Sequence, residues 1–173
     1  MEKYSEVVGL PVICAETGKT AGTVKDVVFC PKSKEVKAFL LERKGFEIKN
    51  KAILLEDVLS LGRDALVVSD FKKAVYLDKI GEKGEVIGLK VYSRSGDDLG
   101  VVKDILFDYR TGTIEGVELS DGLLQDIVQG RKILPLFGKV EFSEENILVD
   151  GEASEEMDST GGGLKNLLKW QRG

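Results

Sequence analysis

Two aspartates form the residue pattern in this chain that most invites chemistry. Asp26 lies in Gly22-Thr23-Val24-Lys25-Asp26-Val27-Val28-Phe29 and Asp104 in Gly100-Val101-Val102-Lys103-Asp104-Ile105-Leu106-Phe107, so one segment occurs twice. Matched carboxylates are able to hold a cation or to divide acid and base roles. Calcium, however, needs several more oxygens than two side chains supply. Each aspartate also recurs with its whole segment, so acceptance of backbone N–H groups at a bulge or turn accounts for both. The chain has no histidine, which removes the usual general base near neutral pH and the commonest metal ligand. The expectation is no catalytic residue, no metal, no cofactor, and hence no enzyme.

The other candidates are weaker. Cys14 and Cys30 are the two cysteines. On the arms of one hairpin turning near Gly18, Cys14 faces about residue 22 and Cys30 about residue 6, a separation of eight positions at about 3.4 Å each and far beyond disulfide reach. They read as free thiols of a reducing compartment. Asp97-Asp98 reads as a solvated loop tip. Gly161-Gly162-Gly163 lacks the preceding strand and the Gly-Lys-Ser/Thr ending of a phosphate-cradling loop, so it reads as linker. Lys25, Lys32, Lys34 and Lys37 cluster without interleaved aromatics and read as a solvated basic edge rather than an RNA site.

These residues sit on short strands. Val7 to Cys14 is β-rich, Glu16-Thr17-Gly18-Lys19-Thr20 is a hairpin turn, and the repeated segment is the return strand. Its phase is irregular: Val24 is in step with Asp26, whereas Val27 and Phe29 are in step with Lys25. One extra residue bulged near Asp26 puts Val24, Val27 and Phe29 on one face, and the second copy shows the same conflict at Val102, Ile105 and Phe107. After the return strand, Asp108 and Gly112 are suited to a turn, while the first copy has Cys30 and Lys34 in those places. Lys34 is therefore expected either to take a positive φ or to sit in a different turn. Further strands are expected at Phe46–Ile48, Ala52–Leu55, Ile133–Leu136, Lys139–Phe142 and Ile147–Val149, a final hairpin around Gly62-Arg63-Asp64, and a short helix over Leu123–Gly130.

The repeat divides the chain into units over 1–80 and 81–150, with a tail over 151–173. Residues 1–80 hold 14 Lys/Arg against 12 Asp/Glu, and residues 81–150 hold 8 against 14. That balance gives little support to a nucleic-acid footprint. No apolar run approaches a membrane span and no secretory signal is visible, so cytoplasmic is the default. In the tail, an acidic Gly-rich stretch leads to Leu164-Lys165-Asn166-Leu167-Leu168-Lys169-Trp170-Gln171-Arg172. On a helix Leu164, Leu167 and Leu168 share a face bordered by Trp170, with Lys165, Lys169 and Arg172 opposite. A helix this short needs a surface: the chain's own barrels, a partner's groove or an anionic membrane. Leu164, Leu167, Leu168 and Trp170 are the candidate docking residues.

At Gly9-Leu10-Pro11-Val12, the two Gly-x-Val-x-Asp segments and Leu55-Glu56-Asp57-Val58-Leu59-Ser60-Leu61-Gly62, the sequence resembles the PRC-barrel family, over residues 7–69 and 86–150. That family is named for the cytoplasmic domain of the photosynthetic reaction-centre H subunit and includes the C-terminal domain of a ribosome maturation factor. The resemblance implies a mainly β fold of two tandem small, mostly antiparallel barrels used as docking modules, followed here by the amphipathic tail. It carries over no catalytic residues. The function expected is a non-enzymatic adaptor for an unidentified protein partner. The alternatives are an RNA- or ribosome-associated maturation factor and a peripheral membrane-associated regulator docking through the tail. Oligomeric state is left open.

Overall fold

The computed structural model describes residues 1–42, 50–120, 131–136 and 140–151. The expected strand at 46–48, the helix at 123–130 and the tail with Leu164, Leu167, Leu168 and Trp170 lie outside those residues. The described chain is mainly β, organised as two curled sheets in two compact units. The first unit comprises Met1–Gly84 together with Phe107–Thr113; the second comprises Glu85–Leu106 and the chain from Ile114 onward. The packing boundary thus departs from the expected repeat boundary over residues 81–84 and at one hairpin turn.

In the first unit β1 (Glu2–Lys3) and the single turn α1 (Tyr4–Val7) precede β2 (Pro11–Cys14), β3 (Thr20–Cys30), β4 (Glu35–Glu42) and β5 (Lys51–Leu54). β6 (Val58–Leu61) and β7 (Leu66–Val68) form the final hairpin, closed by the Gly62 N–H on the Ala65 carbonyl at 3.0 Å. β8 (Val75–Tyr76) completes a sheet of order β6-β7-β2-β3-β4-β5-β8. Most neighbours are antiparallel, but β2 and β7 run parallel. An all-antiparallel sheet is therefore not what forms: the β6–β7 hairpin returns to the edge of β2 in the same direction as β2.

The bulge inferred from the phase of β3 is present. Val24 pairs with Leu41 and Asp26 with Leu40, so Lys25 is the extra residue, and it points into solvent. Val24, Val27 and Phe29 are all buried. A second slip, between Val28 and Phe29, leaves Lys37 of β4 unopposed. Its effect is that Val28 and Phe29 are both buried. Val28 joins Ala38, Leu40, Ala52 and Ile80 on the outer face, against Leu54, Val75 and Leu77. β4 reads as a near-continuous apolar run because both faces of this sheet are covered.

The turn Phe107–Thr113 packs inside this same unit. The Val36 N–H donates to the Gly112 carbonyl at 2.7 Å, Glu35 and Thr113 form an antiparallel bridge, and the Phe39 and Phe107 rings lie 6.4 Å apart. Lys34 and Gly112 both have positive φ, 55° and 80°. The lysine accepts the left-handed conformation and the two turns keep corresponding geometry at that position.

The second unit has β9 (Lys90–Ser93), β10 (Asp98–Phe107), β11 (Ile114–Ser120), β12 (Lys132–Pro135), β13 (Val140–Phe142) and β14 (Asn146–Val149). The order β12-β11-β10-β9-β14-β13 repeats that of the first sheet, and β14 and β9 form its parallel pair. Val102, Ile105 and Phe107 have no exposed surface, and Asp104 is buried with them. The entry to each sheet is also repeated. Gly9 donates to the Val24 carbonyl and Gly88 to the Val102 carbonyl, both at 2.8 Å, each glycine at a positive φ near 90° (94° and 88°).

Candidate docking surface

The two aspartates have the same local role. Each works within its own unit, where the Asp26 Oδ1 accepts the Val27 N–H at 2.8 Å and the Asp104 Oδ1 accepts the Ile105 N–H at 2.9 Å. Asp26 also accepts the Tyr4 hydroxyl at 3.0 Å, and that ring packs 5.9 Å from Phe29. A bulge turns one amide out of the ladder, and a carboxylate on the preceding residue is placed to receive it. Asp26 thus caps the bulge of β3, and Asp104 makes the same bond to the amide that follows it in the second copy.

Both cysteines are buried free thiols. Pairing in the first hairpin sets Ile13 opposite Thr20, and the Cys14 N–H reaches the Lys19 carbonyl at 2.9 Å. Cys14 therefore faces residue 19 rather than 22, because the turn is centred at Glu16–Thr17 instead of at Gly18. Its second-copy counterpart, Ser93, ties the equivalent turn by accepting the Asp97 N–H and meeting the Asp97 carboxylate, each at 2.9 Å. The Thr17 hydroxyl plays the matching part for Cys14 and lowers its pKa against the upward push of burial. Burial also pushes the Cys30 thiol up, but Ser33 and the Lys37 charge outweigh it and leave the pKa below its ordinary value. Both thiols are turn residues. Of the basic cluster, Lys32 pairs with Glu82 at 3.1 Å and Lys37 pairs with Glu35. Half of that cluster is neutralised locally.

The most open apolar feature among the described residues lies at the edge of the first sheet. Leu59 of β6 is 58% exposed, carried outward by a register slip between Val58 and Ser60. β6 stands at the end of the described strand order. Beside it a cleft of about 700 Å³ is lined by Val7, Leu10 and Leu61, with Glu2, Glu6 and Arg63 among its charged walls. The 3₁₀ turn Leu55–Asp57 leads into this edge, and Asp57 anchors its far side by accepting Lys73 at 3.0 Å and the Ser69 N–H at 3.2 Å.

The corresponding edge of the second sheet is guarded. There β13 opposes β14 with Glu141 facing Leu148, and Arg94 bonds Glu141 at 2.9 Å while also bonding Asp150. Charges on edge strands suppress pairing with another chain. Sequence reasoning did not single out Leu59, although alignment of the two copies would have set it in the same edge stretch as Glu141.

Comparison with known proteins agrees with this architecture. Residues 1–83 and 82–155 each match the model of the PRC-barrel domain. A Bacillus subtilis (strain 168) protein described as uncharacterized protein YrrD is 31% identical over 150 residues, which span 84% of this chain and 86% of that protein. None of the described helices is long and apolar enough to cross a membrane.

Proposed function

This chain belongs to the PRC-barrel family, and from that premise we propose that it is a non-enzymatic adaptor whose first unit docks a partner protein along β6. The observation that carries the reading is the contrast between the two edges: Leu59 and a cleft of mixed apolar and charged lining at Leu61 on one, an Arg94–Glu141 pair on the other. An extended partner segment would add backbone hydrogen bonds to β6 and seat an apolar side chain beside Leu59 and Leu61. A non-enzymatic role is supported by the use of both aspartates as acceptors of the backbone N–H that follows each.

The experiment compares proteins captured from the native cell by the full chain, by Leu59→Lys and by a control, Leu148→Lys, on the second unit. Leu59→Lys should lose the partner while its melting temperature stays unchanged, because Leu59 contributes little buried area. Undiminished capture of the same proteins by that variant would refute docking at β6.

A further inference from the structure

β6 carries an open cleft and an uncovered side chain within two residues of each other. The apolar wall of the cleft is made by Val7, Leu10 and Leu61, around a volume of about 700 Å³. Leu59 is 58% exposed and takes no part in that lining. Val58 pairs with Val68 and Ser60 with Val67, so Leu59 is the extra residue of the slip and stands outside the β6–β7 ladder. Within one chain the projecting leucine does not fill the hollow beside it.

The charges of this edge are divided between its ends. Glu56 precedes β6 and Arg63 follows it; both are exposed, and neither has an ion-pair partner among the described residues. Asp64 shares the tip of the hairpin with Arg63, but Arg63 lines the cleft and Asp64 does not. A strand with an acidic start, a basic end and an apolar projection beside an apolar hollow is complementary to itself turned end for end. Two-fold symmetry imposes that arrangement on an edge-to-edge contact of identical strands, because each copy offers the other the same patch. With the axis near Ser60, Leu59 of one copy stands opposite Leu61 of the other, and Arg63 arrives at the Glu56–Asp57 end. Asp57 already accepts Lys73 at 3.0 Å, which leaves Glu56 as the open acceptor.

We propose that the partner docked along β6 is a second copy of this chain, with each Leu59 seated in the other copy's cleft and an Arg63–Glu56 pair at each end. The proposal rests on the reading of β6 as the docking edge and names its occupant. It also gives a role to the charges on the second sheet. With Glu141 and Arg94 guarding that edge, each chain has one edge to offer, and the contact closes as a dimer instead of propagating as a filament.

The test is sedimentation equilibrium of the full chain up to about 1 mM, since an interface of two short strands falls at the small, weak end of the range. The expected result is a reversible monomer–dimer equilibrium. Leu59→Lys should raise its dissociation constant about tenfold or more, as loss of a central apolar anchor does, while Leu148→Lys leaves it unchanged. Arg63→Glu and Glu56→Arg should each weaken the dimer several-fold by setting like charges together, and the double variant should recover it, which damage to the fold would not produce. A chain that stays monomeric throughout overturns the proposal; if Leu59→Lys still loses a captured protein, β6 remains a docking edge and the second copy alone is excluded. A dimer indifferent to Leu59→Lys forms elsewhere and overturns it too. So does a double variant that associates no better than Arg63→Glu.

Discussion

Replacing Gly112 by alanine tests whether the hairpin turn of the second repeat is a structural part of the first unit. At φ 80° a β-carbon on residue 112 would stand 2.8 Å from the Val36 carbonyl oxygen and 2.9 Å from the Leu55 Cδ2. The left-handed conformation costs a non-glycine residue roughly 1–2 kcal/mol. Relief of an over-close contact in a packed region adds about 1–3 kcal/mol. Backbone shift there also loosens the Val36 N–H bond to the Gly112 carbonyl, 2.7 Å long. The expected loss is about 2–5 kcal/mol, a large part of the roughly 5–15 kcal/mol by which domains are stable. For a unit this small that corresponds to a fall of about 10 °C or more in melting temperature.

The assay is urea unfolding of the full chain with hydrogen exchange to locate the effect. Protection should fall at the start of β4, around Val36, although the substitution lies in the second repeat. Lys34→Gly is the companion variant. Lys34 already bears a positive φ of 55°, and removing its β-carbon relieves roughly as much strain as the added backbone entropy costs, so stability should move by less than about 1 kcal/mol. A Gly112→Ala protein within about 0.5 kcal/mol of the parent, the range of inert surface changes, would show that the turn is not packed as described.

Two further outcomes follow from the polar groups. Asp104→Ala leaves the buried Ile105 amide without its acceptor and should cost about 1–3 kcal/mol in urea unfolding, whereas Asp104→Asn keeps an oxygen there and should recover most of the loss; equal costs for the two would mean that the cap is unimportant. Asp97 is held below its ordinary value of 3.8, first by the Ser95 hydroxyl and then by the Ser93 hydroxyl. A carboxyl group depressed in the folded state contributes stability that is present above its unfolded pKa and lost as pH falls through the folded one. Asp97→Asn should therefore flatten the decline of melting temperature below about pH 4, where an unperturbed aspartate titrates, and an unchanged acid limb would contradict the Ser93–Ser95–Asp97 network.

Much of this was legible because repetition turns weak signals into strong ones. The conflict of phase at Val24, Asp26 and Val27 is ambiguous once, but its return at Val102, Asp104 and Ile105 pointed to a bulge, which the slip at Lys25 displays. Gly112 left two outcomes for Lys34, a positive φ or a different turn, and the first is the one found. What sequence could not supply was pairing between distant segments. The parallel contact of β2 with β7 depends on where a hairpin returns, which local patterns do not encode. Nor did the repeat reveal that Phe107–Thr113 packs with the first unit, since that rests on long-range contacts to Val36 and Phe39. Cys14 was misaligned because the hairpin turns about Glu16–Thr17, ahead of the Gly18 that marked the turn in the sequence.

Two copies of one fold separate what the fold requires from what it merely tolerates. At one pair of interior positions the differences between the copies compensate. Ala38 and Ala52 in the first correspond to Gly116 and Ile133 in the second, and a β-carbon on Gly116 would come 3.4 Å from the Ile133 Cγ2 and 3.1 Å from the Leu134 carbonyl oxygen. A smaller residue on one strand makes room for a larger one beside it, which is how packed interiors exchange volume at little cost. Lys34 against Gly112 is uncompensated but cheap, a turn strain of about 1–2 kcal/mol. Leu59 against the Glu141 edge is of another kind. Nothing in the packing of β6 requires a leucine there, since the side chain is more than half exposed, and the second copy satisfies the same fold with a charge held by Arg94. Exposed apolar surface on an edge strand carries an aggregation risk that a single lysine or glutamate would remove. A residue that packing does not need and solubility disfavours is best explained by what it meets, and that argument, rather than any catalytic geometry, directs attention to β6.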